Sequence, residues 1–364
     1  MTGATLVGER RALWPSRAHR AAGEAAGVET SKRNRWAGRA AALGLVVLSP
    51  LFAESLSGYD DTTGDPLALL GGLLILGPLY GCVALLIREA ARRLGIGWPG
   101  IVAMAAAAGI AQAGVVDQSM FAMTYREVPY WDEMLRPTLV EPLGFSPYMA
   151  TSFVVGHIVW SFCAPIVLAE ALAGERGREP WLRWPGLLAA GLLYLAAAAL
   201  ILDDHLKHAS DMASGRQVAS AAGAALVLLA GAVVFGRRTA ERRDFAVPGP
   251  WVVGAAALGC AAAFNLLPSS WAGYAGGVAL LVLAAAGVRW ASRSARWGRR
   301  HVIALAGGAV LAMAVTAFFV TPLGDVGPAR QYTHNTLALL GSAALIAWAV
   351  RRSGVGPDRY RAGP

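Results

Sequence analysis

The chain is poor in charge and poor in cysteine. Only 15% of its 364 residues are Asp, Glu, Lys or Arg, against about a quarter in an ordinary soluble domain. Its three cysteines, Cys82, Cys163 and Cys260, fall singly inside apolar stretches. None has metal-ligand spacing, so they imply neither a disulfide framework nor a metal centre and read as small packing residues. No P-loop, dinucleotide fingerprint or paired His-x-x-x-His occurs, and no cofactor is expected. Residues 1–36 hold no apolar run and are rich in Ala, Gly and Arg. They are expected to form a disordered basic cytoplasmic arm rather than a signal peptide.

What is present is apolar. Hydrophobic residues make up 56% of the chain and the mean hydropathy is +0.48. The excess is collected into ten runs of about 20 residues, the length that crosses a hydrocarbon core of roughly 30 Å. Backbone groups inside lipid must bond within their own segment, so the runs are read as helices. The expected fold is all-α: a polytopic transmembrane bundle of about ten helices. The expected spans are 39–54, 66–87, 98–123, 147–173, 185–202, 216–235, 248–267, 271–288, 301–323 and 334–350. They lie in a helical domain over 37–353, followed by a short cytoplasmic tail, 354–364. The long loop after the third helix has no counterpart after the eighth, so no inverted repeat is expected.

The gaps between runs alternate in sign. Of the 32 Lys and Arg, all but Arg126, Arg136, Lys207, Arg216 and Arg330 fall in the two termini or in every second gap. Acids, from Glu54 through Asp325, dominate the gaps between. Short cytoplasmic loops retain Lys and Arg. The pattern therefore places both termini in the cytoplasm and the protein in a bacterial plasma (inner) membrane. The pI of 9.9 is thus a topology signal. It suits a lipid bilayer with anionic inner-leaflet lipid as partner, and it excludes nucleic acid, because no basic cluster is interleaved with aromatics. Most of the 12 tryptophans lie at run ends, as an interfacial belt would place them, and Trp160 alone sits mid-helix.

Chemistry concentrates in the first half, 37–173. Pro50, Pro78 and Pro165 interrupt helices one, two and four, and proline frees a carbonyl and bends a helix. The intramembrane ionisable residues Glu54, Asp117, His157 and Glu170 lie there too, and such groups usually face a bundle interior or a wet cavity. The second half, 185–353, reads as scaffold. Asp117 is expected about six residues inside helix three, ~9 Å deep at 1.5 Å per residue, on a face with Gly114, Ala113, Ile110 and Ala106. Gln112 is expected on a different face. On helix four Ser161 follows His157 by one turn on the same face, and a meeting of Asp117 with His157 is expected near the outer leaflet. Glu170 is expected to pair with arginines at the inner boundary, and Asn265 to cap or to bond a neighbouring helix.

Several strings are similar to a group of multi-pass membrane proteins from actinobacteria and related bacteria that has no assigned activity. They are Ser49-Pro50-Leu51-Phe52-Ala53-Glu54, Ile87-Arg88-Glu89-Ala90-Ala91-Arg92-Arg93, Gly97-Trp98-Pro99, Asp117-Gln118-Ser119 and His157-Ile158-Val159-Trp160-Ser161. That resemblance covers helices one to four and implies class and location. Phe153-Val154-Val155-Gly156-His157 also resembles the Phe-x-x-x-His pattern of the CAAX-protease and bacteriocin-processing family of intramembrane metal-dependent enzymes. That family's Glu-Glu pair is replaced by Gln112-Ala113, and its third motif is absent. The leading expectation is a permease-like or small solute- or lipid-binding protein. Its outward-facing polar cavity would be built by Glu54, Asp117, Gln118, His157 and Ser161, with a small-molecule ligand and no metal. An intramembrane hydrolase-like protein and a membrane scaffold subunit are the alternatives.

Overall fold

The computed structural model describes residues 36–125, 128–208, 211–237 and 241–353. The arm and the tail read from the sequence therefore fall outside the described residues, apart from Trp36. Among the described residues nine helices are long and apolar enough to cross a membrane. They are α1 (Trp36–Ser55), α2 (Pro66–Leu94), α3 (Trp98–Val116), α4 (Pro147–Leu172), α5 (Trp184–His208), α6 (Gly215–Phe235), α8 (Trp271–Ser292), α9 (Arg299–Phe319) and α10 (Pro328–Ser353). Between them α7 (Pro250–Asn265) is apolar but shorter, at 16 residues. The chain is an all-α polytopic bundle.

Local chemistry starts and stops these helices. Asp65 caps α2 by accepting from Leu67 N and Ala68 N, with Pro66 at the first position. Ser146 caps α4 through Met149 N, Ser270 caps α8 through Gly273 N, and Ser214 with Gln217 forms a capping box on α6. Gly95, with φ of 67°, ends α2 in the left-handed conformation.

Loops of one sign meet loops of the same sign. On the acid-rich face Leu323 N donates to Tyr59 O, and Met123 N donates to the Asp211 carboxylate. On the arginine-rich face Gly97 N donates to Gly236 O, and Arg243 N to Arg293 O. Helices therefore run up and down in alternation, as the charge pattern requires.

The centre is not the first half alone. The most apolar windows of α3, α4 and α9 are each 56% buried, against 11% for α5 and α8. Helix α4 packs against α1, α2, α3, α9 and α10. Trp160, in mid-helix as expected, donates from its ring to Ala309 O of α9. Helices α7 and α9 touch backbone to backbone: a Cβ on Gly308 would lie 2.3 Å from Gly254 O. Asn265 bridges the same pair by donating to Thr316 Oγ1. The peripheral helices expose leucines such as Leu67, Leu74, Leu188 and Leu195. An apolar surface of that extent requires lipid around it.

Several expected boundaries are corrected: α5 runs on to His208 and α10 begins at Pro328, and two further shifts bear on the polar groups. Helix α2 runs on through Leu94, so the Arg88–Arg93 string is helical rather than a loop. Helix α3 stops at Val116, so Asp117 caps its end instead of lying well inside it. At the arginine-rich end that continued helix builds a buried ion cluster. Glu170 accepts from Arg88 Nε at 3.1 Å and from Arg92 Nε and Nη2 at 2.6 and 2.5 Å. Arg88 also donates to Glu89 and to Gly177 O, and its guanidinium lies 3.5 Å from the Trp181 ring centroid. Arg299 closes the end of α4 by donating to the Glu170, Ala171 and Gly174 carbonyls. Every principal polar group of this cluster has a partner, so it reads as a clamp between α2, α4 and α9.

Candidate functional site

Each of α1 to α4 contains a π-helical turn. They cover Leu51–Ser55, Gly77–Gly81, Gln112–Val116 and His157–Cys163. Among the described residues no other helix has one. Such turns insert a residue into the i→i−4 ladder and are frequent at functional sites. Their causes are visible: Pro50 precedes the first, Pro78 lies in the second and Pro165 follows the fourth. The third has no proline but contains Gly114, where a Cβ would come within 2.7 Å of Ala221 Cβ on α6.

The π turns carry the polar side chains. Glu54, in the first, accepts from Tyr80 Oη of the second at 2.5 Å. Its other oxygen accepts from Tyr59 Oη at 2.8 Å. The Tyr80 ring stacks on the His157 ring with centroids 5.7 Å apart. His157 Nδ1 lies 3.2 Å from Ser161 Oγ, and the Ser161 carbonyl accepts from Ser49 Oγ of α1. Close packing makes this possible. A Cβ on Gly81 would lie 2.2 Å from Val46 O, and one on Gly109 would lie 2.9 Å from His157 Cβ. Glycine alone lets α2 reach α1, and α3 reach α4, at these levels. Helix α10 joins the site through His334 Nε2, 2.7 Å from Ser55 O.

The five residues read from the sequence thus divide. Glu54, His157 and Ser161 gather around Tyr80. Asp117 and Gln118 bond to other residues, although Asp117 follows Val116, which packs in one cluster with Tyr80. His157 faces Gly109, eight positions before Asp117, which is ~12 Å along a helix. Asp117 instead accepts from Ser119 N at 2.9 Å and from Gln112 Nε2 at 3.4 Å. The π turn explains the second contact. An i→i+5 turn returns Gln112 beneath Asp117, whereas an α-helical projection puts them on different faces. Gln118 has φ of 54° and accepts from Ala213 N, tying the end of α3 to the α5–α6 connection.

Tyr59 and Tyr80 were not singled out from the sequence. A signal existed: a buried tyrosine hydroxyl normally finds a partner, and Tyr80 sits between glycines beside Pro78. The Glu54 carboxylate beside it, then burial, then the hydrogen bond itself hold the Tyr59 phenol well above its ordinary value.

A cap formed by the α3–α4 connection covers this site on the acid-rich face. Its short helix, Trp131–Leu135, places Trp131 between Tyr125 and Phe153, with centroids at 4.9 and 6.0 Å. Phe153 is one turn from His157. Beside the cap opens a cavity of about 600 Å³, bounded by Asp60 and Asp61, by Pro129 and Tyr130 of the cap, and by residues 321–324 after α9. The cavity therefore lies outside Tyr59 rather than between Glu54, Asp117 and His157. Among the described residues no group of three or more His, Cys, Asp or Glu is placed to hold a metal ion.

No protein-family model, curated protein or solved structure matches this chain.

Proposed function

We propose that this integral membrane protein is a permease-like solute-binding protein. Its working group is Glu54 with Tyr80, His157 and Ser161, and its acid-rich face is turned outward from a bacterial plasma membrane. The observation that carries the reading is the environment of Glu54. A carboxylate at membrane depth is costly unless it is paired. Here, among the described residues, its hydrogen-bond partners are two tyrosine hydroxyls, and no Lys or Arg forms an ion pair with it. The His157 ring is stacked on Tyr80, so a carboxylate, a phenol and an imidazole offer acceptors and donors to one polar solute. The π turns of the four helices supply the second support, because such turns are frequent at functional sites. The arginine-rich loops support an inward orientation for that face and for both termini.

The test is a thermal-shift screen of purified protein in lipid nanodiscs against a library of small polar solutes. Solutes that stabilise the wild type should lose that effect in Glu54→Gln and in His157→Ala and keep it in Cys260→Ala. Stabilisation that survives both site variants would place solute binding elsewhere and end the proposal.

A further inference from the structure

The cavity beside the cap has a composition that selects a ligand class. At about 600 Å³ it is within the range of small-molecule sites, roughly 300–1,000 Å³. Its walls are of two kinds. Asp60 and Asp61 supply carboxylates, the neighbouring Pro322 and Leu323 supply apolar surface, and Pro129 and Tyr130 of the cap supply further apolar surface and a ring. Among the described residues no Lys or Arg pairs with either aspartate. Among the described basic side chains, Arg330 lies 3.8 Å from Asp65, and Arg136 pairs with Asp132. Asp60 accepts from Thr62 N, which holds its carboxylate in place. The carboxyl of Asp61 is held above the ordinary carboxylate range by its hydrogen bond with Asp60.

A metal ion fits this chamber poorly. A calcium ion asks for six to eight oxygens at about 2.3–2.6 Å. The walls supply two carboxylates and the Thr321 hydroxyl among prolines, around a space far larger than one ion. An ammonium with an apolar body uses both walls, because a ring face attracts a cation and the body covers proline and leucine. We propose that this cavity binds an organic ammonium, its charge set between Asp60 and Asp61 and its apolar body against Tyr130.

The inference rests on the permease reading in one respect, that the cavity is the antechamber of the Glu54 site. Tyr59 is the partition. Its carbonyl accepts from Leu323 N at the cavity wall, and its hydroxyl donates to Glu54 on the far side.

The experiment uses full-length protein in nanodiscs, titrated calorimetrically with benzyltrimethylammonium, neutral benzyl alcohol and calcium. The expected result is saturable binding of the ammonium alone. It should weaken about tenfold or more in the Asp60→Asn/Asp61→Asn double variant and in Tyr130→Leu, and persist in Cys260→Ala. Tyr130→Leu keeps the test decisive should the double variant fail to fold. Absence of saturable ammonium binding, equal binding of benzyl alcohol, binding of calcium alone, or ammonium binding unchanged in the variants that fold would each overturn the proposal. The permease reading fails separately: it falls if proteoliposomes take up no solute in a Glu54-dependent way, whatever the cavity binds.

Discussion

Glu170→Ala should be among the most damaging single substitutions in the membrane domain. Three guanidinium donors converge on this carboxylate: Arg88 Nε and both Nε and Nη2 of Arg92. Their fates on truncation differ. The Arg92 side chain is 16% exposed and can turn to water, whereas that of Arg88 is 0% exposed and cannot. Breaking a buried pair by removing one partner costs about 3–5 kcal/mol, because the remaining charge is uncompensated. Arg88 keeps Glu89 and the Gly177 carbonyl, so the expected cost is at the lower end, about 3 kcal/mol. Adding Arg88→Met removes the stranded charge, so the double variant should lose clearly less than the two singles together. Glu175→Ala, on the exposed surface of the same face, should change stability by less than about 0.5 kcal/mol. Unfolding in mixed micelles titrated with SDS, followed by tryptophan fluorescence, measures all four proteins. A Glu170→Ala variant as stable as Glu175→Ala, or strict additivity with Arg88→Met, would show that the cluster is not a clamp.

The neighbourhood of Tyr59 makes a pH prediction. Its folded phenol is raised above the unfolded value, so its contribution to stability is complete below about pH 10 and is lost as pH climbs through the folded value. Glu54→Gln removes the largest cause and should move the tyrosinate absorbance change to lower pH; an unmoved curve would contradict the Tyr59–Glu54 contact. Gly81→Ala places a methyl against Val46 O and should cost about 1–3 kcal/mol by forcing α1 and α2 apart. Gly71→Ala, with nothing within 4 Å, should be neutral or slightly stabilising; equal melting of the two variants would refute the close approach. Single cysteines at Asp61, Asp132 and Asp204 should label from outside intact spheroplasts, and those at Arg92, Arg178 and Arg242 only after permeabilisation. External labelling at an arginine-rich loop would reverse or break the proposed topology.

Much of the bundle was legible before any coordinates. Apolar length gives spans because lipid leaves the backbone no other partner, and the loop charges give the alternation. What failed was local. The Arg88–Arg93 string reads as a loop because four charged residues in seven look solvated. It is helical with Glu170, from across the bundle, accepting from Arg88 and Arg92. Asp117 was expected inside α3 because the apolar run continues to Met123, but the chain turns at Gln118, where a positive φ takes it out of the helix. Tertiary partners decided both, and no window of sequence contains them.

The larger error was periodicity itself. Reading faces at 3.6 residues per turn assumes one unbroken ladder, and that assumption holds for α5 to α10. It put Ser161 beside His157, and the two do meet at 3.2 Å although both lie in the π turn His157–Cys163, whose wider turn still leaves i and i+4 adjacent. It failed for Gln112 and Asp117, which straddle a π turn and therefore meet at a spacing that an α-helix would separate. The same insertion rotates whatever follows it. Beyond the π turn of α2, Cys82 through Leu94 face their neighbours in a register shifted from that of Pro66–Leu76. Proline and glycine in helices one, two and four were visible in the sequence as bends. A bend and a register change have different consequences, however. A bend redirects an axis, whereas an added residue chooses which side chains share the interior. In this protein the second effect accompanies the meeting of Glu54, Tyr80 and His157, one from each of three interrupted helices, and it explains why their convergence could not be read from helical faces drawn on any one of them.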